Sequence, residues 1–65
     1  MKVRIKKILE EKGRSIYWLA IQCNVTYKSM FNLVNNKTSS VKFMLLERIC
    51  NVLEVTPNDI FDFEN

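Results

Sequence analysis

Histidine is absent from these 65 residues, and glycine and proline occur once each. Without histidine the chain lacks the one side chain whose ordinary titration lies near neutrality, so acid–base catalysis at pH 7 has no default agent. A single glycine cannot build a glycine-rich phosphate loop. So little glycine and proline also leaves no composition for a disordered linker or for hairpin turns. Two cysteines with no histidine cannot form an ordinary structural zinc site by themselves. No apolar run approaches the roughly 20 residues of a membrane span. Charged and apolar residues alternate from Lys2 onward, unlike a signal peptide. Alternation of the strand type never survives more than about four residues, and there is no internal repeat. Glu10-Glu11 and Asp59 with Asp62 read as helix faces or caps rather than acid–base pairs. An enzyme is not expected, nor is a metal or a cofactor, and the expected setting is the cytoplasm.

What the chain does have is 48% hydrophobic residues, enough for one small helical core and one domain over residues 1–65. Its charge is unevenly placed. Residues 1–42 carry nine basic and two acidic groups, a net of +7, and residues 43–65 carry one basic and five acidic, a net of −4. A basic side of this kind suits a polyanion. Ordinary solvated helix surface would look similar, so the charge gains weight only from where Lys28 and Lys37 stand.

Helical spacing and end signals divide the chain into five helices. The first is predicted over about Lys2 to Lys12, with Ile5, Ile8 and Leu9 as its apolar stripe, and Gly13 ends it. Ser15 caps a second helix that runs to about Cys23. Thr26 caps a third that ends near Asn35, and Asn36 takes a left-handed turn. A fourth is predicted over about Lys42 to Leu53, with Phe43, Leu46, Ile49, Cys50 and Leu53 inward. Thr56, Pro57 and Asp59 signal the start of a short fifth helix anchored by Ile60 and Phe61. Cys23 and Cys50 both fall on apolar faces. Reduced, buried thiols are the plainer expectation, and a disulfide between two helices stays open at this point.

Ser15 to Lys37 is the most informative stretch, two short helices joined by a very tight turn. Ala20 is small enough to let them cross closely. Asn24 stands where the backbone must turn left-handed. Val25, Met30 and Leu33 bury the second of the two helices. Tyr27, Lys28, Phe31, Asn32 and Asn35 are left outward, a face rich in groups that touch base edges and phosphates.

On Leu19-Ala20, Asn24-Val25-Thr26, Met30, Leu33 and Asn35-Asn36-Lys37, the chain resembles the Cro/C1-type (XRE) helix-turn-helix family, which includes the lambda repressor. The match continues over Leu46, Ile49, Leu53 and Val55-Thr56-Pro57. The resemblance implies an all-α, compact five-helix bundle whose helix-turn-helix spans about residues 15–35. It implies sequence-specific binding of double-stranded DNA and control of transcription. The family pattern puts base reading on Tyr27, Lys28 and Asn32, with Phe31 next. Lysine donates to guanine, and asparagine pairs in bidentate fashion with adenine. The residues themselves suggest two phosphate clamps: Ser15 and Tyr17 at the start of the second helix, and Asn35, Asn36, Lys37 and Thr38 after the third. Capping and turn-making account equally for Ser15 and Asn36.

Two departures from the family stand out. Ile16 occupies a place where many members have glutamine, so the phosphate clamp must differ. Leu9 and Val34 replace a frequent Arg–Glu pair, and an apolar contact is expected there. Helix-five residues help lambda-repressor relatives dimerise, which makes Ile60 and Phe63 candidates for a dimer interface, with Phe61 assigned to the core. The leading expectation is a repressor acting as a homodimer, at least on DNA, at an inverted repeat. The alternative is a protein-interaction module, such as an antitoxin that also binds its own promoter. Trp18, Phe31 and Phe63 would then face the protein partner, although Trp18 is more simply a cover for the core.

Overall fold

Gly13, Asn24, Asn36 and Glu54 decide where the long helices stop. The computed structural model describes residues 2–62, and these four residues are left-handed, with φ of 66°, 58°, 59° and 57°. Each is followed by an N–H that reaches back to the last helical turn: Arg14 to Leu9 at 2.9 Å, Val25 to Ala20 at 3.0 Å, Lys37 to Asn32 at 2.8 Å and Val55 to Cys50 at 3.0 Å. The closure satisfies carbonyls that a helix end otherwise leaves open. Glycine adopts it freely and asparagine tolerates it, whereas Glu54 carries a steric cost of about 1 kcal/mol.

The helices between these stops are α1 (Ile5–Lys12), α2 (Ile16–Gln22), α3 (Tyr27–Val34), α4 (Phe43–Leu53) and α5 (Pro57–Ile60). Among the described residues there is no strand, so the fold is all-α with five helices. Ser15 Oγ accepts from the Trp18 N–H at 3.0 Å, and Thr26 Oγ1 accepts from the Ser29 N–H at 3.1 Å. Both bonds satisfy first-turn donors, which is why these two helices begin where their caps stand. At α5 the Asp59 carboxylate accepts from the Thr56 N–H and hydroxyl, each at 3.0 Å. Those bonds, helped by Arg4, hold the Asp59 carboxyl below the usual carboxylate range.

Helix α1 starts three residues later than its spacing predicts. Lys2 to Arg4 are not helical, because Val3 forms an antiparallel bridge with Phe61. The Arg4 N–H donates to the Ile60 carbonyl at 2.7 Å and the Asp62 N–H to the Lys2 carbonyl at 3.0 Å. Val3 turns its own polar groups the other way, to the Asn36 side chain, which accepts at 2.7 Å and donates at 3.3 Å. Nonlocal partners thus replace the helical ones for the Lys2 carbonyl, both Val3 groups and the Arg4 N–H, while the Arg4 carbonyl accepts from the Ile8 N–H of α1 at 3.2 Å.

The core gathers around Leu19, Met30, Ile49 and Ile60, all fully buried. Burying a side chain of this size contributes about 1.5–3 kcal/mol. Ala20 is also buried, and α2 packs on α3. Leu9 and Val34 both sit in the core, where an ion pair would have to overcome desolvation. Cys23 and Cys50 are buried free thiols, not a disulfide. Burial pushes both thiols up, opposed by Arg48 at Cys23 and reinforced by the Asp59 charge at Cys50. Arg48 also donates to the Cys23 carbonyl at 3.1 Å, tying α4 to the end of α2.

Phe43 does not point inward as its spacing predicts. It is 73% exposed, and Met44 beside it is 68% exposed. Leu45 and Leu46 of the same turn pack on the core, which leaves Phe43 and Met44 on its outward side. No helix among the described residues is long and apolar enough to cross a membrane.

Candidate nucleic-acid interface

The turn from Cys23 to Thr26 aims α3 outward. With Val25 partly buried and Met30, Leu33 and Val34 in the core, the opposite side of α3 is left to solvent. Tyr27 is 49% exposed, Lys28 is exposed, and Phe31 and Asn32 are half-buried. Tyr27 and Phe31 stand one turn apart, with ring centroids 5.8 Å apart and planes tilted by 37°. Lys37, from the loop beyond α3, holds its ammonium 5.4 Å from the centre of the Phe31 ring. Tyr27, Phe31 and Lys37 therefore form one cluster alongside Lys28.

Asn32 lies on the edge of a groove between α3 and the loop that leads to α4. Ser29, Thr38, Ser40 and Lys42 line the same groove. Lys42, expected from spacing only as the start of a helix, is the N-cap residue of α4. The signal for its place beside the groove is a basic residue at the end of a polar loop that already carries Lys37. Phe43 follows it on the exposed first turn of α4.

Several expected contacts are occupied by the fold itself. The Asn35 amide donates to the Phe31 carbonyl at 2.9 Å and is folded back onto its own helix. Both ends of the Asn36 amide serve Val3. One amide hydrogen of each side chain is thus committed within the protein. The Thr38 hydroxyl oxygen is buried and has no hydrogen-bond partner in the protein, so it does not face outward. Ser15 Oγ caps α2. Tyr17, by contrast, is 63% exposed and Lys37 is exposed. Ile60 cannot serve a dimer surface, since it is wholly enclosed by the core. Phe63 lies outside the described residues. Trp18 is half-buried against the core, and the Arg14 guanidinium sits 4.6 Å from its ring centre. The exposed pair on α2 is instead Tyr17 and Ile21.

A Cro/C1-type HTH DNA-binding domain profile matches residues 4–65. The chain is 27% identical over 63 residues to an uncharacterized HTH-type transcriptional regulator, YozG, of Bacillus subtilis strain 168, covering 97% of this chain and 75% of that one. Its fold is similar to the N-terminal DNA binding domain of SinR from Bacillus subtilis, with a TM-score of 0.76 and 29% identity over 85% of this chain and 80% of that one. On the match over residues 4–65, this chain belongs to the Cro/C1-type helix-turn-helix family, whose domains are DNA-binding regulators rather than enzymes.

Proposed function

We propose that this protein is a cytoplasmic transcriptional repressor that binds an inverted-repeat operator as a homodimer. Helix α3 enters the major groove with Tyr27, Lys28 and Asn32 toward the base edges, and Phe31 follows one turn later. The supporting observation is the face of α3 itself: Lys28 exposed, Tyr27 exposed, and Asn32 at the lip of a groove that Lys42 shares. An α-helix reads the major groove through its first turns, and two half-sites of a dimer fall about one helical turn of DNA apart. Phosphate contacts come from Lys37, Lys42 and the Tyr17 hydroxyl, with backbone N–H groups completing them. Blocking polymerase is the simplest outcome of such binding.

The test is selection of bound duplexes from a random pool, repeated with Asn32→Ala and at two salt concentrations. A two-fold symmetric consensus, relaxed at one position per half-site by the substitution, is expected. Steep salt dependence without a consensus would leave only phosphate binding.

An antitoxin-like interaction module is the second reading. Trp18 supports it less than its sequence suggests, being packed on the core with Arg14 over its ring. Among the described residues the most exposed large apolar side chains are Phe43 and Met44 on α4, with Tyr17 and Ile21 on α2 after them. Self-association of the purified chain that Phe43→Ser abolishes would favour this reading, and the absence of any DNA consensus beside it would favour a pure interaction role.

A further inference from the structure

Phe31 is an odd residue to place on a face that meets DNA, because it has no group that can donate or accept. Its surroundings limit what it can do. The Asn35 amide next to it on the outward face is tied to the Phe31 carbonyl at 2.9 Å. In the second turn of α3 the outward groups are the Phe31 ring and Asn32. The ring has two neighbours, Tyr27 at 5.8 Å between centroids and the Lys37 ammonium at 5.4 Å. Phe31 remains only half-buried in that setting. In the major groove, the C5-methyl of thymine is the apolar group available to such a ring. A cation held over the ring also stands where a backbone phosphate would draw it, which keeps the cluster on the DNA side.

We infer that the Phe31 ring, beside Tyr27 and Lys37, reads thymine methyl groups, so that the operator carries thymine at a defined place in each half-site. This rests on the proposed binding of α3 in the major groove and adds what that helix selects. Lys28 and Asn32 supply hydrogen-bond readout, while Phe31 supplies a methyl-dependent term that hydrogen-bond patterns do not carry. The same contact would accept 5-methylcytosine for its methyl group and reject cytosine.

The experiment uses the full chain and the duplex selected from the random pool. Each thymine of the half-site is replaced in turn by deoxyuridine, which removes one methyl and leaves the hydrogen-bonding edge unchanged. Affinity is expected to fall about fourfold at one or two symmetric positions, as for the loss of one buried methyl-sized group. Phe31→Ala should bind thymine and uracil duplexes equally, with its helical circular dichroism retained, and Phe31→Leu should keep part of the difference. A consensus that binds equally well with uracil throughout overturns the methyl reading and leaves the major-groove proposal standing. Undiminished uracil sensitivity in Phe31→Ala overturns the role of this ring. Absence of any consensus overturns both. The uracil series with the unaltered protein needs no substitution, so a misfolded variant does not block the test.

Discussion

Asn36 treats Val3 as a neighbouring strand would. Its Oδ1 accepts from the Val3 N–H at 2.7 Å, and its Nδ2 donates to the Val3 carbonyl at 3.3 Å. The same residue turns the chain left-handed at the end of α3, with φ of 59°. One side chain thus closes the helix proposed to read DNA and secures the start of the chain beside it.

The two duties of Asn36 can be separated. Asn36→Gly keeps the left-handed turn and leaves the Val3 groups unpaired, at a cost of about 1–3 kcal/mol. Asn36→Ala also forces the turn on an ordinary residue and should cost about 1 kcal/mol more. Urea unfolding of the three proteins measures both steps. A glycine variant as stable as the parent would mean that the bracket around Val3 contributes nothing.

Lys28 and Lys37 should fail differently. On the proposed interface Lys28→Ala relaxes preference at one base position, with about 1–3 kcal/mol of discrimination lost there. Lys37→Ala weakens operator and scrambled duplex together and lowers the salt slope by about one, with any added loss of preference confined to the thymine that Phe31 meets. Titrations of operator and scrambled duplex at several salt concentrations distinguish them. Equal, sequence-independent losses for both would remove Lys28 from base reading.

Asp59 ties stability to acid. Its carboxyl is held below its ordinary value near 3.8, first by the Thr56 N–H, then by the Thr56 hydroxyl. A depressed carboxyl stabilises the fold at pH above its unfolded value and loses that contribution as pH falls through the folded one. Asn at this position resembles the protonated acid. Asp59→Asn should therefore melt lower than the parent at pH 7, and the gap should close below the carboxylate range. A gap of unchanged size at pH 2 would show that the charge is not its cause.

Phe43 and Ile49 lie on the same helix and should respond oppositely to truncation. Phe43→Ser changes stability by less than about 0.5 kcal/mol, as exposed positions do. Ile49→Ala, in the core at 0% exposure, should lose about 2–5 kcal/mol. Thermal melts of the two variants suffice. A large loss at Phe43 would mean that its ring is covered in solution, by a second copy or another protein.

The parts of the fold visible in the sequence are those governed by near neighbours. Gly13, Ser15, Asn24, Thr26 and Pro57 act within one helical turn, and the structure has each in its expected place. What escaped depends on distant partners. Lys2 to Arg4 look helical by spacing, yet most of their backbone hydrogen bonds go to Ile60, Asp62 and Asn36. Phe43 has the right period and lies on the outward side of its turn. In the interface region, the outward side of α3 follows from its buried side, so the exposure of Tyr27 and Lys28 was legible. The tie of Asn35 to Phe31, the bracket at Asn36 and the buried Thr38 hydroxyl were not, since an amide or hydroxyl declares nothing about its partner in sequence.

The knot of bonds around Val3 also sets an order of events in time. Asn36 and Val3 are 33 residues apart, and the Arg4 guanidinium donates to the Asn58 carbonyl across 54. Loops of that length must close before any of these bonds forms, whereas the α2–α3 pair assembles from near neighbours. The segments around Val3 and Asn58 are therefore expected to join late, after the folding barrier. Loosening them, as in Asn36→Gly, should quicken unfolding while folding keeps its pace.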